Sequence, residues 1–99
     1  MNTITDIGTL IVHSPEIRGG RPRVAGTGVT VRRIVDCYKR GMIPEEIADR
    51  FGHLTLAQVY AALAYYHANR DEIEADLAAE DAEVEALERQ HPRIATTSR

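Results

Sequence analysis

Seven basic side chains fall between residues 18 and 40: Arg18, Arg21, Arg23, Arg32, Arg33, Lys39 and Arg40. Asp36 is the one acid among them, so the stretch carries +6. Guanidinium forks match the oxygens of a phosphate, and a run this dense reads first as nucleic-acid backbone contact, from a groove-entering arm or a helix face. A second reading stays open, in which the same arginines pair with carboxylates of the acidic C-terminal segment of a neighbouring chain. The glycine-rich GGRPRVAGTG, residues 19–28, has neither the spacing of a phosphate loop nor that of a dinucleotide-binding turn. His13, His53, His67 and His91 sit in separate segments without metal-ligand spacing, and no local motif joins a nucleophile to a base. Cys37, the single cysteine, reads as a small apolar filler. No metal, cofactor or enzymatic activity is expected.

The elements that must carry these arginines follow from hydrophobic spacing. Thr9 to His13 is a β-branched run closed by Ser14-Pro15, and Val24, Val29 and Val31 between glycines suggest short extended pieces, so the N-terminal part is predicted to be a β-ribbon. Thr30 caps a first helix over 31–40, with Val31, Ile34, Val35 and Tyr38 on its apolar stripe and Gly41 beyond its end. Pro44, Glu45 and Glu46 open a short second helix over 44–51, whose stripe is Ile47, Ala48 and Phe51. Thr55 and Gln58 form a capping box for a third helix over 56–67, with Val59, Leu63 and Tyr66 facing inward. Asn69 breaks it. From Asp71 the chain is acidic and alanine-rich, with a narrow stripe of Ile73, Leu77, Val84 and Leu87 that runs to Pro92 and has nothing obvious of its own to pack against.

The 99 residues are 43% apolar with four Tyr, one Phe and no Trp, which suits one domain with a thin aliphatic core. A net charge of −3 hides a division. Residues 1–70 carry nine Lys/Arg and six Asp/Glu, whereas 71–99 carry three and nine, and the chain is divided accordingly into a ribbon-plus-helix domain (1–70) and an acidic helical tail (71–99). The absence of a secretory pattern or an 18-residue apolar run makes the cytoplasm the expected compartment and excludes a membrane partner.

Two short helices followed by a capped third match a helix-turn-helix, whose third helix enters the major groove. The outward residues expected here are Ala57, Gln58, Ala61, Ala62 and Tyr65, of which only Gln58 is equipped to read a base. Phosphate contact is assigned to Arg21, Arg23, Arg32 and Arg33, with Thr55 and Gln58 at the start of the third helix completing the expected DNA-binding set.

GGRPRVAGTGVTVRRIVDCYKRGMIPEEIADRFGHLTLAQVYAALAYY resembles the domain-of-unknown-function 433 family, in which a G-[KR]-P ribbon, a Pro-Glu-Glu-Ile turn and a Leu-Thr helix recur in order; the likeness covers residues 10 to about 77. It rests on Gly20, Pro22, Val24, Gly26, Thr27, Val29 and Val31, on Gly41 and Pro44 to Ile47, and on Leu54, Thr55, Val59, Ala62, Leu63 and Tyr65. Two positions depart. Gly28 stands where the family usually has Arg, and Ile43 where a Ser or Thr usually caps the second helix. The resemblance implies a mainly α, homeodomain-like three-helix fold preceded by a short β-ribbon. It also implies a type II antitoxin-like role beside a PIN-like ribonuclease toxin, with binding to the chain's own promoter DNA.

The expected function is therefore a non-enzymatic, homodimeric antitoxin-like module that binds DNA and neutralises a PIN-like toxin; the alternative is a protein-binding adaptor or dimerisation module without DNA binding. The expected partner-binding set is Ile73, Leu77, Val84, Leu87, Arg89 and Arg93. Its aliphatic members are read as a helix laid in a groove. Its arginines, with Arg99, are read from the resemblance as reaching the carboxylates of the toxin's active site.

Overall fold

The computed structural model describes residues 4–90. Strand β1 (Ile11–Val12) pairs antiparallel with β2 (Arg23–Val24), and four helices follow: α1 (Val31–Lys39), α2 (Pro44–Phe51), α3 (Leu56–Ala68) and α4 (Arg70–Gln90). The fold is mainly α with a short N-terminal ribbon, as the sequence predicts. The ribbon is stitched to the bundle by its backbone: Val24 N–H donates to the Val29 carbonyl at 2.9 Å, and Val31 N–H, in the first turn of α1, donates to the Pro22 carbonyl at 2.9 Å.

Each helix start has a chemical cause. The Thr30 hydroxyl accepts from the Arg33 N–H at 3.3 Å. Thr55 and Gln58 satisfy each other reciprocally, at 2.7 and 3.1 Å, so the expected capping box is present. At α2 only half of such a box exists: Glu46 Oε1 accepts from the Ile43 N–H at 3.0 Å, and Ile43 has no hydroxyl to return the bond. Pro44 at the first helical position compensates, since it brings no N–H to satisfy.

The core joins Val24 of the ribbon to Val31, Ile34, Val35 and Cys37 of α1, Ile47 of α2, Leu54, and Val59, Ala62, Leu63 and Tyr66 of α3. Tyr38, expected on the α1 stripe, is 39% exposed at its edge, and Cys37 takes the buried place. The expected outward face of α3 is also corrected. Ala61 and Ala62 are buried, Gln58 and Tyr65 are half-buried, and the exposed residues are Leu56, Ala57, Tyr60, Ala64, His67 and Ala68. Alanine fits either side of a helix, so spacing alone cannot set its phase.

Helix α4 corrects the sequence reading further. Its first two turns belong to the core, with Ile73 fully buried and Leu77 packed against the same cluster, so α4 has a surface of its own to pack on. Burial of a side chain such as Ile73 is worth roughly 1.5–3 kcal/mol. From Asp81 to Gln90 every residue except the half-buried Ala86 is exposed. Among the described residues no helix is long and apolar enough to cross a membrane.

Candidate functional site

A cleft of about 610 Å³ opens where the ribbon meets α1, the end of α2 and the middle of α4; Arg18, Arg21, Arg32, Arg33, Phe51 and His53 line it. Arg21 is held from behind by α4, its Nε donating to Asp76 Oδ1 at 3.2 Å. Arg32 donates to the Asp76 carbonyl at 3.3 Å and lies 3.8 Å from a Glu80 carboxylate oxygen. The Arg33 guanidinium stands 5.7 Å from the centre of the Phe51 ring. Arg18 donates through Nε to the Gly28 carbonyl at 3.1 Å. Residues 18 to 20 all adopt positive φ, at 53°, 65° and 80°; two glycines accept this freely, while Arg18 bears the strain.

Arg21 and Arg32 do pair with carboxylates of the acidic helix, within their own chain. Arg23, expected to touch phosphate, is buried at 8% exposure inside the ribbon, where its Nη atoms donate to the Thr27 carbonyl at 3.0 Å and to Ser14 Oγ at 2.8 Å. It is not available to DNA. Thr55 and Gln58 spend their oxygens on the α3 cap. Of the six expected DNA-binding residues, only Arg33 keeps an exposed guanidinium without a carboxylate partner among the described residues. Arg18 was part of the basic run but not of that set, and it is the residue that joins Arg33 in the cleft.

The partner-binding set divides in the same way. Ile73 and Leu77 pack in the chain's own core and are not offered to a partner, because α1 lies against that half of the helix. Val84 and Leu87 are 48% and 58% exposed, and Arg89 is exposed in the last turn. Arg93, like Arg99, His91 and Pro92, lies outside the described residues.

A second polar cluster fastens α4 to the body. Lys39 Nζ donates to both Glu74 oxygens at 2.8 and 2.9 Å, and the Tyr66 hydroxyl donates to Glu74 as well. The bond to Glu74 raises the Lys39 pKa and the Tyr66 pKa, and the bonds from Lys39 and Tyr66 lower that of Glu74. Nearby, the Tyr65 hydroxyl donates to Glu72 at 3.0 Å, with His13 Nε2 at 3.2 Å; burial first, then Glu72, pushes its pKa up to about 12. Lys39, Tyr65, Tyr66 and Glu74 are all partnered within the protein, which marks a structural clamp and not an acid-base pair. Among the described residues no group of three or more His, Cys, Asp or Glu side chains is placed to hold a metal ion.

The family model for DUF433, described as a protein of unknown function, matches residues 11–66. The chain belongs to the DUF433 family. A crystal structure of a DUF433 member from Anabaena variabilis is similar over 71% of this chain and 69% of the other, with 27% identity and a TM-score of 0.67. No curated protein matches. In this DUF433 chain the matched segment holds the ribbon, helices α1 and α2 and all but the last two residues of α3, and the half of α4 that completes the core lies beyond it. The two departures from the family pattern acquire structural meaning. Ile43 leaves α2 with half a capping box, and Gly28, with no side chain, leaves room for the Arg18 guanidinium beside it.

Proposed function

We propose that this chain is an antitoxin-like, partner-binding module whose exposed half of α4 docks into a groove on a PIN-like toxin protein. The observation that carries the reading is the split of one helical seam. Ile73, Leu77, Glu80, Val84 and Leu87 recur at spacings of four and three; the first two are buried by the body, and the last two have no cover among the described residues. Asp81, Glu83, Glu85 and Glu88 flank them, so the groove that fits is apolar with a cationic rim. Arg89 in the last turn offers a guanidinium to carboxylates on that partner. Sequence-specific DNA reading through α3 has little chemistry behind it: of its exposed residues Leu56, Ala57, Tyr60, Ala64, His67 and Ala68, only Tyr60 and, in the last turn, His67 carry a polar side chain, and neither is of the type that pairs bidentately with a base edge.

The test is co-expression with the product of the adjacent reading frame. Truncation must follow Asp81, because a cut after Asn69 would remove Ile73 and Leu77 from the core. The full chain is expected to co-purify with a PIN-like partner, and the truncated chain to fold and fail to do so. Retained co-purification would reject α4 as the docking element.

A further inference from the structure

We infer that the arginine-lined cleft is a binding site for a phosphate carried on a flat ring, the chemistry of a nucleotide. This inference is independent of the partner reading, which concerns the far end of α4. Three features carry it.

The first is charge. Arg18, Arg21, Arg32 and Arg33 line one cleft, and only two side-chain carboxylates, Asp76 and Glu80, approach them among the described residues. Two positive charges are left over, and guanidiniums gathered this closely repel each other until an anion joins them.

The second is fixation. Arg21 and Arg32 are anchored on α4, and Arg18 on the Gly28 carbonyl, with donors to spare because each guanidinium carries five N–H groups. Their positions are set before a ligand arrives, which is the arrangement that lowers the cost of binding. Arg18 holds its place from a left-handed backbone conformation that a non-glycine residue adopts only at a cost, and such strain collects at functional sites. Gly28 permits the approach: a Cβ there would stand 3.1 Å from Arg18 Nη2.

The third is shape. A volume of about 610 Å³ is that of a small-ligand pocket, and Val29 and Phe51 supply an apolar part of its wall. A ring laid against Phe51 and the Arg33 guanidinium would stack, with its phosphate directed to Arg18 and Arg32. A duplex has no free ring to offer there. The Glu80 carboxylate, 42% exposed and 3.8 Å from Arg32, stands where an anionic oxygen would sit and is displaced on binding.

Titration of the full chain, followed by amide chemical shifts, tests this with inorganic phosphate, adenosine, AMP and a short 5′-phosphorylated single strand. AMP is expected to give saturable shifts at residues 28–33 and Phe51, at least about tenfold tighter than phosphate or adenosine alone. A strand binding more tightly than AMP identifies the end of a nucleic acid as the source of the phosphate; equal or weaker binding identifies the free nucleotide. Arg18→Ala should weaken AMP binding by about tenfold or more with an unchanged melting temperature, and Glu80→Gln should tighten it. The site is overturned by any of three results: no saturation at about 10 mM AMP, adenosine binding as well as AMP, or unaltered affinity in Arg18→Ala.

Discussion

The guanidinium of Arg18 rests against Gly28, its Nε 3.1 Å from the Gly28 carbonyl oxygen, so a residue ten positions earlier in the chain places its charge beside position 28. An arginine side chain introduced at position 28 would start from the same part of the cleft. Gly28→Ala puts a Cβ 3.1 Å from Arg18 Nη2 and forces that flexible side chain aside. Thermal stability should change by no more than about 0.5 kcal/mol, while AMP affinity falls. Arg18→Ala combined with Gly28→Arg should recover the affinity that Arg18→Ala loses. If the double variant binds no better than the single one, position 28 does not serve the cleft.

Helix α4 should respond differently along its length. Ile73→Ala opens a cavity in the core and is expected to cost about 2–5 kcal/mol in denaturant unfolding. Val84→Asp and Leu87→Asp alter exposed positions and should leave unfolding within about 0.5 kcal/mol of the parent while abolishing the proposed docking of α4 on a partner. Equal destabilisation at Ile73 and Leu87 would mean that the seam is buried throughout.

Helix bounds were legible because their signals are local: Thr30, Pro44, the Thr55–Gln58 pair and Asn69 each act within one turn. The arginine partners were not. Arg21 and Arg32 meet Asp76 across 55 and 44 residues, and a stripe as narrow as Ile73 and Leu77 gives no sign of what covers it. The burial of Arg23 is hidden from the sequence for a related reason. A strand of two residues has no period, so nothing in its spacing tells an inward side chain from an outward one. Arg18 stood in the basic run, but its partner is a backbone carbonyl brought near by the ribbon turn, and the departure at Gly28 was its one trace in the sequence.

Arg23 offers a separate check, because it is a buried cation that, among the described residues, has two neutral acceptors, no carboxylate, and an Nε without a partner. Arg23→Ala strips Ser14 and the Thr27 carbonyl of their donor and should cost about 1–3 kcal/mol, read by urea unfolding. Arg23→Met keeps the stem and removes the charge whose burial is costly, so it should recover part of that loss. Neither variant should shift AMP affinity, since Arg23 is not among the residues lining the cleft. A drop in affinity without a drop in stability would return Arg23 to the binding set.

The clamp at the start of α4 sets the response to alkali. Tyr65 is pushed up to about 12 by burial and by its bond to Glu72, and Tyr66 and Lys39 are raised by Glu74. A group whose folded pKa exceeds its unfolded value binds more protons in the native state, so its contribution is complete below the unfolded value and disappears as pH climbs through the folded one. All three therefore act in the same direction, and urea midpoints should stay level up to about pH 10 and fall between there and about pH 12. Glu74 acts at the other end: its lowered pKa means that its contribution is present above the ordinary carboxylate range and is lost as pH falls below it. Tyr65→Phe removes a hydroxyl pushed up to about 12 and should flatten the alkaline decline while leaving the acid limb as it was. An identical alkaline limb in parent and variant would show that Tyr65 ionises no differently in the folded and unfolded chains, and its hydrogen bond to Glu72 would then not persist in solution.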